Sequence, residues 1–316
     1  MDQIFSIKPG CPFHDLIHCY PDHLFTLNEN KRVDPNARAL ADASAFIRNG
    51  EYARVQLQIH PDLAQLDVAL ETYGLDIMQF QVVCLRNKDR NMLNKRIEEY
   101  LIAHGMLKIK KTTTKRPNGE KGVSLFPGKK ITFTKNVKPH KAYAGVRNGE
   151  LAQIKRLKEI NDGLVLTTMT GKNILITRSI GRGVHPNEIT EGYATTCNKA
   201  QGSEWNHVLF YIYENPIAFF SREFAYVAVS RAKKRCVIVG NRADFNQICM
   251  RKATLRKTLL RLCLPEVPSF PHSHVQMQDF SLFTQLPMDF PAVPIPPVKE
   301  NDAVSRDGKK KVRHNE

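Results

Sequence analysis

Apolar residues recur at helical spacing from Asn36 to Arg48, where Ala37, Leu40, Ala41, Ser44, Ala45 and Ile47 share one side of a 3.6-residue period. Asp34-Pro35-Asn36 stands in front of them and predicts a capped start, with a carboxylate for the free amides and a proline suited to the first turn. Asn49-Gly50 predicts the stop. Pro61 to Tyr73 reads as a second helix, with Leu63, Leu66, Val68 and Ala69 before Gly74. Phe80 to Leu85 is a short apolar run, the mark of a buried strand. Asp89 to His104 is a third helix, carrying Met92, Leu93, Ile97 and Leu101 and closed by Gly105. Strand followed by helix, repeated, predicts an α/β layer.

The period changes near Met106. Apolar positions now alternate, in Ile131 and Phe133, Leu151 and Ile154, Leu164 and Leu166, and Ile174 and Ile176. Period two with Gly and Asn-Asp punctuation predicts short antiparallel strands, a small β insert over 106–189. Thr112 to Val123 reads as an exposed basic loop within it. The α/β pattern resumes at about 190. His207 to Ile212 predicts a strand, Ser221 to Lys233 a helix, Arg235 to Val239 a strand, and Ala243 to Leu262 a largely helical end. From Pro265 onward stand eight of the chain's 18 prolines, which excludes regular helix and predicts disorder. Apolar docking patches are expected there around Phe280 to Phe283. No internal repeat is evident.

Composition sharpens this picture at one point. Among 316 residues, 47 Lys and Arg oppose 31 Asp and Glu, a formal charge of +16. A solvated surface needs no such excess, and a partner rich in phosphate, nucleic acid, is the simplest account. The seven cysteines are scattered and include no Cys-x-x-Cys pair, which argues against a zinc site or a disulfide framework. No apolar run is long enough for a bilayer and the N-terminus lacks the order of a signal peptide, so an intracellular protein without a membrane partner is expected. The basic end Gly308-Lys-Lys-Lys-Val-Arg313 reads either as a nuclear import signal or as a chance cluster in a basic tail.

Two strings in the second α/β part carry the most specific pattern. Tyr193-Ala-Thr-Thr-Cys-Asn-Lys-Ala-Gln-Gly-Ser-Glu204 resembles motif V of superfamily 1 helicases. Phe224-Ala-Tyr-Val-Ala-Val-Ser-Arg-Ala-Lys-Lys234 resembles motif VI, in the RecD-like variety with a UvrD-like C-terminal domain. The resemblance implies a RecA-like second motor domain with an inserted small β-barrel. It implies that Arg231 is an arginine finger that stabilises transferring phosphate, a task for which a planar guanidinium suits better than an ammonium. The alternative for Arg231 is a surface arginine at a helix end, favoured by the helix dipole. Thr196, Asn198 and Lys199 fall where relatives hold a DNA phosphate, with Asn198 departing from the usual His. Gln201 and Gly202 form the turn between the DNA side and the ATP side. Glu204 matches a ribose-hydroxyl acceptor.

Weaker strings follow the same family order. Leu27-Asn-Glu-Asn-Lys-Arg32 resembles motif IV, making Arg32 a second arginine near the γ-phosphate. Met1 to Gly10 resembles motif III entered partway, with Gln3 as its phosphate-sensing glutamine, followed by Phe13-His-Asp15-Leu16. In the insert, Lys129, Lys130, Lys135, Asn136, Lys138, His140 and Lys141 precede Arg147-Asn-Gly-Glu150, where relatives line a single-strand channel. The lysines are expected to meet phosphate, and Phe133 and Tyr143 either stack on bases or pack in the insert's own core.

No Gly-x-x-x-x-Gly-Lys-[Ser/Thr] occurs, and the Glu98-Glu99 pair lies mid-helix on a predicted solvated face. The domains read as 1–34, a motif III remnant and linker; 35–105 and 190–263, the two parts of the RecA-like domain; 106–189, the insert; and 264–316, the tail. Two functions stay open. One is the C-terminal part of an ATP-dependent DNA helicase, inactive alone. It would need ATP, Mg²⁺ held elsewhere, and an N-terminal RecA-like domain from the same gene or another chain. The other is a single-stranded nucleic-acid-binding module without ATPase.

Overall fold

Five strands from two stretches of sequence, separated by the insert, meet in one parallel sheet. The computed structural model describes residues 12–21, 24, 32–73, 76–108, 112–115, 121–161, 163–178, 182–213 and 217–253. The first stretch gives α1 (Pro12–Cys19), α2 (Arg38–Asn49), β1 (Gln58–His60), α3 (Ala64–Tyr73), β2 (Phe80–Cys84) and α4 (Asn87–Ala103). The insert gives β3 (Thr112–Lys115), β4 (Lys121–Leu125), β5 (Lys130–Phe133), β6 (Leu151–Ile160), β7 (Gly163–Thr168), β8 (Asn173–Ile176) and β9 (Ile189–Glu191). The chain then returns as β10 (Ala194–Thr196), α5 (Cys197–Ala200), β11 (Trp205–Tyr211), α6 (Arg222–Val229), β12 (Ala232–Val239) and α7 (Arg242–Met250). The parallel sheet has the order β1-β12-β11-β2-β10.

The continuous apolar runs of its inner strands follow from burial on both faces. Val83 and Phe210 pack with residues of α2, α5, α6 and α7, while Val82 and Leu209 pack with those of α3 and α4. The predicted α/β class and the discontinuous domain are therefore present. Helix limits differ in instructive ways. Asp34 does not cap α2; its side chain accepts from the Asn36 amide at 2.9 Å, and Ala37 takes the cap position without a side-chain bond. Gly50 closes α2 in the left-handed region as expected, with φ +81°. Helix α6 stops at Val229, because β12 begins at Ala232 to pair with Trp205 in β11. Helix α7 ends at Met250, and the rest of the expected helical stretch, 254–262, lies outside the described residues.

The insert has its own core, in which Ile131, Phe133, Ile154, Leu166 and Ile174 are buried. Its strands form an antiparallel ladder β8-β7-β6-β5-β9. Among the described residues β8 and β9 are not paired with each other, so hydrogen bonding leaves the ladder open where a barrel would close it. The predicted basic loop is instead the hairpin β3-β4, with Val123 and Leu125 turned into the core. The insert runs on to Glu191, since β9 pairs with β5. Gln3, residues 27–31 of the motif IV string and the tail from 254 lie outside the described residues. Among those described, no helix is long and apolar enough to cross a membrane.

Two lysines expected at the surface are fully buried and join insert to sheet. Lys130 Nζ donates to Ile77 O at 2.8 Å, Phe80 O at 2.9 Å and Gln81 Oε1 at 2.8 Å. Gln81, itself buried in β2, donates to Gly192 O and Tyr193 O at 3.2 and 3.0 Å. Lys129 Nζ pairs with Glu98 of α4 at 2.6 Å and Glu191 of β9 at 3.5 Å. Glu98 is thus half of a buried pair, and only Glu99 lies on the solvated face. Burial pushes the Lys130 ammonium down to about 7, against a weaker upward pull from Asp76. A lysine depressed in the fold binds fewer protons there than in the open chain, so its contribution to stability rises with pH from about 7 toward its ordinary 10.5. Lys130→Met is expected to cost about 3 kcal/mol in urea unfolding, since it leaves three acceptors unpaired. It should also flatten that pH slope; an unchanged slope would show that Lys130 stays charged in the fold.

Candidate functional site

The segment from β10 through α5 to the start of β11 has a different neighbour at each end. At its far end Glu204 stands between two cations. Arg32 Nε donates to Glu204 Oε2 at 3.3 Å, and Lys233 Nζ pairs with Oε1. Both hold the Glu204 carboxyl below the usual range, Lys233 the more strongly. Arg32 Nη1 also donates to Ser230 O at 2.9 Å. The bond from the Asp34 amide to Lys233 O, 2.9 Å long, fixes the Arg32 segment against β12.

Arg231 joins this group but does not protrude. It is only 2% exposed. Its Nε donates to Val227 O at 3.2 Å, Nη1 to Ser203 O at 3.2 Å and Nη2 to Ser230 Oγ at 3.1 Å. Burial first and Arg32 second bring its guanidinium down to about 10. The expectation of an arginine reaching out from a helix end is corrected here. Helix α6 ends early, and the arginine falls in a tight turn where a carbonyl of α6, the Ser230 hydroxyl and the Ser203 carbonyl take its donors. Arg32, bonded to Glu204, nevertheless lies close enough to Arg231 for both to act on its charge.

The near end of the segment lines a cleft of about 270 Å³ between the parallel sheet and the insert. Thr195, Asn198, Lys199 and Ser203 form one wall, Thr132, Asn148 and Gly149 the other, and Arg90 of α4 one end. Thr196 is 7% exposed within the sheet, and the strand alternation puts Thr195 in the cleft in its place. Lys199 is exposed and has no ion-pair partner among the described residues. Its ammonium is lowered by burial and then by the like charge of Arg90. The Arg90 guanidinium donates to Asn91 Oδ1 at 3.2 and 2.9 Å. Two cations facing one space without a carboxylate, among hydroxyls and amides, suit a phosphodiester chain. Base stacking is poorly served, because Phe133 is 1% and Trp205 5% exposed.

Lys135 and Asn136 sit at the end of the insert wall. Lys135 pairs with Glu188 at 3.0 Å and stays largely exposed, while Asn136 Oδ1 accepts from the Asn148 amide at 2.8 Å. Asn136 therefore shapes the loop that carries Asn148 and Gly149. Tyr143 is half-buried and bonded through its backbone to His140. Sequence reasoning placed Asn148 in the channel string 147–150 but singled out none of Arg90, Thr195 and Lys233. Lys233 follows Arg231 by two and was legible as its neighbour; Thr195 is identified by the alternation of β10 and Arg90 by the packing of α4. Among the described residues no group of three His, Cys, Asp or Glu side chains converges as metal ligands would.

Known proteins match this part of the chain. Residues 191–239 match the UvrD-like helicase C-terminal domain. The ATP-dependent RecD2 DNA helicase of Deinococcus radiodurans is 30% identical over 148 residues, 45% of this chain and 19% of that protein. Together these support a likeness of the matched region to the C-terminal region of RecD-like superfamily 1 helicases. A Pif1 helicase from Bacteroides, solved with ADP-AlF3 and ssDNA, covers 76% of this chain and 56% of its own at 14% identity and a TM-score of 0.43. Pif1 from Candida albicans covers 66% and 55% at 12% identity and a TM-score of 0.40. The chain thus spans about a fifth of the curated relative and about half of these solved ones.

Gly202, between the two ends of the segment, has φ +84° with nothing within 4 Å of where a Cβ would stand. Its constraint is backbone conformation alone. Gly202→Ala should therefore lower stability by only about 1 kcal/mol in thermal unfolding; a loss several times larger would mean a steric role.

Proposed function

We propose that this chain is the C-terminal part of an ATP-dependent DNA helicase or translocase, and that the cleft beside α5 holds the phosphodiester backbone of single-stranded DNA. The observation that carries the reading is the pair Arg90 and Lys199, two cations without carboxylate partners among the described residues, in a cleft walled by motif V. Thr195, Asn198 and Asn148 add neutral donors beside them. Such a surface grips backbone and does not read sequence.

Arg32, Arg231 and Lys233 with Glu204 fit one wall of a nucleotide site. The cations suit phosphate oxygens, and the carboxylate suits a ribose hydroxyl. ATP, bound with Mg²⁺ whose ligands come from a further RecA-like domain, supplies the free energy of phosphoryl transfer in the complete motor. Arg231 must leave Val227 O, Ser203 O and Ser230 Oγ to serve as a finger there. Its retraction favours the second reading, a single-strand-binding module with no hydrolytic role. The RecA-like nature of the α/β domain and the barrel type of its insert are part of the same proposal, with Lys135 and Asn136 at the channel rim.

Trp205 is the only tryptophan and lies in the cleft wall, so its emission reports occupancy. Titration with oligo-dT should change it. Arg90→Ala and Lys199→Ala should each weaken binding about five- to tenfold. Each should also reduce the slope of log K against log salt by about 0.7. Unchanged affinity and slope in both variants would reject the cleft. The two readings separate on addition of a P-loop-bearing RecA-like domain: DNA-stimulated ATPase that depends on Arg231 supports the motor, and its absence supports the binding module.

A further inference from the structure

Glu204 is bonded to two cations at once. Arg32 Nε reaches one oxygen at 3.3 Å and Lys233 Nζ the other. Lys233 is none of the positions that the helicase resemblance assigns, yet the Asp34–Lys233 backbone bond holds it beside Arg32. Arg231 stands behind them, so three cations face one carboxylate. The three outer groups are half-exposed, at 33%, 38% and 44% of their side-chain surface for Arg32, Lys233 and Glu204. Exposed pairs of this kind are screened and exchange partners at small cost.

A carboxylate and a phosphate offer a guanidinium or an ammonium the same kind of acceptor oxygens. We propose that the Glu204 carboxylate is a placeholder for phosphate, and that Lys233 is a further phosphate-binding residue of this site. An entering polyphosphate takes Arg32 and Lys233 from Glu204 and leaves the carboxylate free to accept from a hydroxyl. The exchange also draws on Arg32 as a donor to Ser230 O, the residue next to Arg231. The proposal rests on the nucleotide-wall reading and adds to it an order of partners.

Inorganic tripolyphosphate separates the two, because it has no ribose. A glutamate that serves only a ribose has nothing to offer it, whereas a placeholder competes with it. Titration calorimetry of the full 316-residue chain at low salt is the measurement. Glu204→Gln should bind tripolyphosphate at least threefold more tightly than the unmodified chain, and Lys233→Met severalfold more weakly. Glu159→Gln, at an exposed position of β6, removes the same charge elsewhere and should leave binding unchanged. Equal or weaker binding by Glu204→Gln would overturn the placeholder, as would equal tightening by Glu159→Gln. If Arg32→Gln and Lys233→Met both leave binding unchanged, phosphate is not held here and the nucleotide-wall reading falls with the proposal.

Discussion

One buried ammonium holds the two halves of this structure in register. Lys130 comes from the first strand of the insert's main ladder and ends on Ile77 O, Phe80 O and the Gln81 side chain, all at or beside the inner strand β2. A lysine is costly to bury, and it is retained here with an acceptor for each of its three protons. Gln81 passes the connection on to Gly192 and Tyr193, where the chain leaves the insert for β10. Lys129 closes the same joint on the other side through Glu98 and Glu191. The insert is therefore fixed to the sheet at both its entry and its exit, and the cleft between them has rigid walls.

That joint gives the motif V segment its two environments. The segment begins at β10, directly after the Lys130–Gln81–Tyr193 network, and its first residues form a cleft wall. It ends at Glu204, among the cations of motifs IV and VI. Ser203 belongs to both, since it lines the cleft and its carbonyl accepts from Arg231. Close packing at Gly192, where a Cβ would come within 2.9 Å of Ile131 and Leu151, keeps the cleft floor thin. The cleft and the Arg231 turn thus share one short piece of backbone.

Much of the architecture was legible because it depends on apolar periodicity. The run Phe80 to Leu85 could only be a strand covered on both faces, and Gly50 could only end a helix. The insert announced itself by a switch to period two. The misreadings fall on polar residues whose burial periodicity does not record. Lys129 shares strand parity with Ile131 and Phe133, which was a usable sign that it points inward; Lys130, on the opposite parity, gave none. Thr195 and Thr196 are chemically alike, and only the register of β10 against β2 decides which one lines the cleft. Arg231 stood at a predicted helix end, but the helix closed a turn earlier and folded its guanidinium inward. Arg90 is remote in sequence from every motif and enters through the packing of α4.

The central claim is that insert and sheet together form one single-strand site. Hydrogen exchange of the full chain, with and without oligo-dT, tests it most directly. The account predicts that bound oligonucleotide slows exchange on both walls at once, in residues 194–199 of the sheet side and in 132–133 and 148–151 of the insert. Protection confined to one wall, or to the exposed lysines at 135–141 with the cleft unchanged, would contradict it.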